Sequence, residues 1–180
     1  MDTQHLMDFW IPELIKNIWI PAFLAVIGFI GRSLYDIFLT IRNKKIEILE
    51  NKLQKFYWPI LIRIEKDNAI WETILSKKDN PDSLQYKLAS IIEKNYVLQN
   101  HNEILEIMSS NMHLAEPDKE LSDSIRKYIR NVTIYKALRE SGEEKVFPLE
   151  LGAEWPQDLY KLIKNRTEKY QKELNSKILK

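Results

Sequence analysis

Residues 17–31 carry no charged side chain, in a chain of 180 residues where 29% are Asp, Glu, Lys or Arg. A stretch of that kind restricts the fold more than any other feature of the sequence: it is a membrane span, an interfacial helix or a core helix. At 1.5 Å per residue it covers roughly 22 Å of a hydrocarbon layer roughly 30 Å thick. Ile11, Leu14 and Ile15 before it, and Leu34, Tyr35, Ile37, Phe38, Leu39 and Ile41 after it, supply the missing length. Lys16 can snorkel to the headgroups, and Arg32 and Asp36, four apart, can pair on one helix face. Trp10 and Trp19 near one end and Tyr35 near the other suit interfacial belts. The expectation is a spanning anchor.

Flanking charge gives it a direction. Asp2, Asp8 and Glu13 precede it with only Lys16 in opposition, whereas Arg42, Lys44, Lys45, Lys52 and Lys55 follow it. The positive-inside rule places the N-terminus outside and residues 43–180 in the cytoplasm, with a single pass through the inner (plasma) membrane. The acidic start and the lack of a small-residue cleavage site argue against a cleaved signal peptide. Pro21 predicts a kink or a late helix start. Ala22, Ala25, Gly28 and Gly31 form a strip of small residues that allows another helix to approach, or is ordinary span composition.

The division expected is therefore 1–42 as N-terminal segment and anchor and 43–180 as a helical domain, with 43–60 as a stalk helix. The larger part holds 24 Lys and Arg against 22 Asp and Glu, which excludes a binder of bulk DNA or RNA but permits a local basic patch. Absence of Cys removes disulfides, iron–sulfur clusters and thiol nucleophiles. Only Gly142 and Gly152 lie beyond the anchor, too few for a glycine-rich phosphate loop.

Periodicity predicts an all-α protein. Ile46, Leu49, Leu53, Phe56 and Ile60 alternate in steps of three and four, which fits either a self-associating stalk or a helix packed on its own domain. Pro59 lacks the donor for the carbonyl of Lys55 and predicts a joint. Ile60, Leu61, Ile64, Trp71, Ile74 and Leu75 continue the helix. Asn80 or Asp82 is expected to cap the next one, whose apolar face is Leu84, Leu88, Ile91 and Ile92. Asn100-His101-Asn102-Glu103 has the form of a helix start, with Ile104, Leu105, Ile107, Met108 and Met112 behind it. Glu116-Pro117-Asp118 ends that element. Leu121, Ile125, Tyr128, Ile129, Val132 and Tyr135 form a further stripe closing near Gly142. Phe147, Pro148, Leu149, Leu151 and Trp155 are expected to fold back on the core before Pro156 opens the last helix.

No nucleophile elbow, Walker motif or dinucleotide fingerprint is present, so no catalytic residue and no cofactor is expected. His5, His101 and His113 lack metal-ligand spacing. Arg126 and Arg130 lie one turn apart, and Lys127, Lys136 and Arg139 extend the charge with Tyr128 and Tyr135 interleaved. Guanidinium forks and aromatic faces suit phosphates and bases, although a solvated helix face reads the same way. Asn100 and His101 could read base edges, or serve as caps. Trp58, Trp71 and Trp155 read as core or interface.

Phe56-Tyr57-Trp58-Pro59 with Asp67-Asn68-Ala69-Ile70-Trp71, and Tyr128-Ile129-Arg130-Asn131-Val132 with Tyr135-Lys136-Ala137-Leu138-Arg139, look like signature segments. In layout and size the whole chain resembles the small membrane-anchored accessory effectors of type III CRISPR defence. That resemblance implies a homo-oligomer that senses a cyclic oligoadenylate, an anionic ligand, and perturbs the membrane in antiviral defence, with coupling through residues 32–58. The other expectation is a non-enzymatic scaffold that recruits a protein partner through an apolar groove at Phe147, Leu149, Leu151 and Trp155.

Overall fold

The computed structural model describes residues 19–77, 82–143 and 145–179. The acidic N-terminal flank with His5, Trp10 and Lys16, and the turn containing Asn80 and Pro81, lie outside the described residues. Every regular element among the described residues is helical. The chain divides into two compact units at the Ile46–Glu47 boundary.

The first unit is one helix. Helix α1 runs Ile20–Lys52 and passes that boundary. Pro21 lies one residue after Ile20, where α1 begins among the described residues. Its most apolar 18-residue window has a mean hydropathy of 1.7, and none of that window is buried. The helix is long and apolar enough to cross a membrane. Phe23, Leu24, Ile27, Ile30, Leu34 and Phe38 all face outward.

In the second unit the same residue types turn inward. Leu49, Leu53, Phe56 and Ile60 are buried inside the domain, so the three-four spacing serves a helix packed on its own core. A π turn at Leu53–Tyr57 joins α1 to α2, Trp58–Thr73, with the Trp58 N–H bonded to the Leu53 carbonyl. Pro59 therefore does not break the helix: the extra residue in the turn shifts the ladder where the proline donor is missing. Tyr57 fixes this point, its hydroxyl donating to the buried carbonyl of Ala115 at 2.6 Å. Burial pushes the Tyr57 phenol above its ordinary pKa.

Helix α3, Leu84–Ile92, is capped by Ser83, which accepts from the Tyr86 N–H, and not by Asp82. Its expected core face is outward instead: Leu84, Leu88 and Ile91 are exposed, and Ala89 is the buried residue. A second π turn, Glu93–Val97, leads straight into α4, Leu98–Ala115. The helix start expected at Asn100–Glu103 is thus absent: Asn100 and His101 sit buried in the first turn of α4, which runs on from the π turn and kinks at Asn111. Glu116 closes α4 in the left-handed region (φ 44°) and its carboxylate reaches Lys52 at 2.6 Å.

Asp118 caps α5, Lys119–Glu140, by accepting from the Leu121 N–H, a bond that helps hold its carboxyl below the ordinary range. Gly142 (φ 84°) follows the end of α5, where a Cβ would be strained. A 3₁₀ turn at Pro148–Leu151 precedes α6, Leu159–Ile178. Helix α6 packs on α2, on the first π turn and on α5.

Candidate functional site

The site begins with an anomaly in α2. Ile60, Ile64, Asp67 and Trp71 follow one another at steps of four, three and four, so a carboxylate occupies a position that helical spacing assigns to the core. Asp67 and Trp71 border a cleft of about 850 Å³. Helix α4 adds His101, α5 adds Lys127, Asn131 and Tyr135, and the connection before α6 adds Phe147, Leu149, Glu154, Trp155 and Asp158. That volume lies in the usual range for a ligand pocket.

Asp67 is the chemical centre. Its side chain is 10% exposed, and neither carboxylate oxygen accepts a hydrogen bond. His101 Nδ1 lies 3.4 Å from Oδ2, and that nitrogen lies 2.9 Å from the Tyr128 hydroxyl. Burial pushes Asp67 up to about 6, against the opposing pull of Asn100 and Lys66. Burial also pulls His101 down to about 4. At neutral pH the pair is an ionised carboxylate beside a neutral imidazole, with the Lys66 ammonium acting on the carboxylate from its own helix. An unsatisfied buried acceptor of this kind costs at least about 1–3 kcal/mol.

Aromatic rings surround this group. His101 lies 5.9 Å from the rings of both Tyr128 and Trp155, and Tyr128 lies 5.5 Å from Trp155. Trp71 and Trp155 each leave about half of their surface to solvent and border the cleft. The charged lining is acidic: Asp67, Glu154 and Asp158 against Lys127, whose ammonium already sits 3.9 Å from Glu154.

The connection that closes the cleft is held by a buried ion pair. Arg139 and Glu93, with side chains 7% and 8% exposed, meet at 2.8 Å, and the Tyr135 hydroxyl donates to the same carboxylate. Arg139 also donates to the carbonyls of Glu143 and Val146 at 2.7 and 3.0 Å and lies over the Tyr135 and Phe147 rings. Asn131 donates to the Ala153 carbonyl at 2.8 Å, fixing the far end of the segment.

Against this geometry the six residues singled out from the sequence separate. His101 lines the cleft; the other five do not. Asn100 donates to the Arg63 carbonyl at 2.8 Å and ties α4 to α2. Arg139 is engaged by Glu93 and two carbonyls. Arg126 is exposed and paired with Asp123 at 3.1 Å, and Lys136 lies 3.9 Å from Glu140. Arg130 is exposed near Gly152. Asp67 was not among the six, and its sequence signal was the interrupted stripe of α2. Among the described residues no group of three His, Asp or Glu is arranged to hold a metal ion. Set against protein-family models, curated proteins and solved structures, the chain matches none.

Proposed function

We propose that this chain is a membrane-anchored adaptor: the apolar part of α1 fixes it to the inner membrane, and the cleft of the helical domain receives a segment of a protein partner. The observation that carries the reading is the cleft itself, an aromatic trough with an acidic lining and apolar residues along its connection. Leu149 is 66% exposed and Leu151 54%, beside Phe147 and Trp155, which are also open to solvent. Large apolar side chains left out on a short turn, next to open indoles, mark an interaction surface more than a core. The basic residues after the apolar stretch, Arg42, Lys44 and Lys45, support a cytoplasmic helical domain.

A photo-crosslinking residue at Gln157, which borders the cleft, tests this in native membranes. The expected result is one adduct of discrete mass, suppressed by Trp155→Ala and not formed from Lys172 on the exposed side of α6. Absence of a discrete adduct, or equal labelling from both positions, contradicts the reading.

The second reading is the nucleotide-responsive effector of antiviral defence, which the exposed Arg126 and Arg130 favour, one turn apart on α5. Each copy in a symmetric oligomer would offer the same pair to a cyclic anionic ligand. Calorimetric titration of the full chain in detergent with cyclic oligoadenylates separates the two. The effector requires binding that is lost in R126A/R130A, whereas the adaptor requires none.

A further inference from the structure

We propose that α1 pairs in the membrane with α1 of a second copy of this chain, the Arg32 guanidinium of each copy meeting the Asp36 carboxylate of the other. The inference rests on the membrane anchor of the preceding reading and goes beyond it by naming what the anchor packs against.

Three observations converge on one face of the helix. The first is where its two charges lie. At 1.5 Å per residue Arg32 stands about 18 Å and Asp36 about 24 Å along the helix from Ile20, both inside a hydrocarbon layer roughly 30 Å thick. A charge at that depth faces a protein partner or water far more often than lipid. The second is that the single helix does not meet this need. Both side chains are exposed, and among the described residues neither takes part in an ion pair or a side-chain hydrogen bond, so the intrahelical pair that their spacing allows is not formed. The third is the division of the helix surface. At about 100° per residue, Ala25, Gly28, Arg32, Ser33, Asp36 and Thr40 fall within an arc of about 140°, with Phe29 and Leu39 as the large apolar side chains there. Phe23, Ile27, Ile30, Leu34, Ile37 and Phe38 take the opposite arc. A helix surrounded by lipid on all sides has no cause to sort its side chains in this way.

A second copy is the occupant that the charges specify. The face carries one cation and one anion, and under a two-fold axis residue 32 of each helix meets residue 36 of the other, so both pairs close at once. Copies inserted with one topology are parallel, and the two groups are then offset by about 6 Å along the axis, a distance that an arginine side chain spans. Ala25 and Gly28, on the same face, let the backbones approach closely enough for that reach. In the single copy a Cβ at Gly28 would meet nothing within 4 Å, so the surface there is open.

The chain has no Cys, so a single introduced thiol reports one position of the full protein in native membranes. Oxidation of Ala25→Cys, on the sorted face, should give a disulfide-linked dimer, whereas Ile27→Cys, on the opposite face, should stay monomeric. Arg32→Asp in the Ala25→Cys background sets carboxylates against carboxylates and should lower the dimer yield about tenfold, the scale of a polar contact between membrane helices. R32D/D36R rebuilds a complementary pair and should restore the yield. Retention of each variant in the pellet after alkaline carbonate shows that it is inserted. Equal yields from the two thiols, or a yield that R32D leaves unchanged, overturns the proposal. So does a double variant that is inserted but stays monomeric, or an Ala25→Cys adduct to a chain of another mass, which assigns the face to a different protein. Retention in the pellet without an Ala25→Cys dimer removes the pairing and keeps the anchor. Release by carbonate removes the anchor and the pairing with it.

Discussion

Residues 20–46 and residues 47–179 use the same apolar alphabet in opposite directions. In the first region Phe23, Leu24, Phe29 and Phe38 all point outward, and no residue from Ile20 to Ile46 is buried. In the second, Leu53, Phe56, Tyr57, Ile60, Ile104 and Ile163 are almost wholly enclosed. The first region is long and apolar enough to cross a membrane, while the second buries its apolar side chains in its own core. At the cleft the domain's rule relaxes: Trp71 and Trp155 stay about half exposed, and a carboxylate lies inside among aromatic rings.

The largest effect that would break this contrast concerns the buried ion pair. Arg139→Ala leaves Glu93 charged and enclosed, and chemical denaturation of the full chain in detergent should show a loss of about 3–5 kcal/mol. A loss under about 1 kcal/mol, the level of an exposed pair, would show that the network does not hold the connection in place.

A matched pair of truncations sharpens the contrast. Ile104→Ala empties a fully enclosed site and should cost about 2–5 kcal/mol. Ile27→Ala removes a side chain from an outward-facing helix surface and should leave domain unfolding unchanged within about 0.5 kcal/mol. Comparable losses in the two would mean that residues 20–46 contribute to the domain core.

Asp67→Asn gives the most diagnostic shift, read as stability against pH. Burial raises the folded-state pKa of Asp67 from 3.8 to about 6, so this group favours the fold most below pH 3.8 and loses that contribution as pH rises through 6. Asn cannot titrate. The stability difference should therefore move in favour of D67N between about pH 4 and 6 and level off above, by up to about 3 kcal/mol, two units at 1.36 kcal/mol each. His101, pulled down to about 4, contributes the opposite slope, and because its Nδ1 lies 3.4 Å from Asp67 the same comparison in an H101Q background isolates the carboxylate. Urea midpoints across that range check the sign, and a difference that stays flat contradicts the buried, unpaired carboxylate.

Much of the architecture could be read from the residues. The uncharged stretch marks α1, the stripe from Leu121 to Tyr135 marks α5, and Pro59 marks the irregular turn beside it. What escaped has physical reasons. A three-four spacing at Ile46–Ile60 looks alike for a coiled coil and for a core-facing helix, because both bury one stripe. Asn100–Glu103 looks like a helix start, yet the π turn at Glu93–Val97 carries the backbone through and rotates Asn100 and His101 inward. Arg139 looks like part of a solvated cationic face until Glu93, distant in sequence, closes on it. Asp67 was legible in principle, since a carboxylate in an apolar stripe either carries a cost or awaits a ligand.

The central claim is that the outward-facing apolar helix is held in a bilayer. Alkaline carbonate extraction of membranes from cells producing the full chain tests it directly. The account predicts that the protein stays in the pellet and is released only by detergent. Recovery in the soluble fraction, as a dispersed monomer in detergent-free buffer, would contradict it.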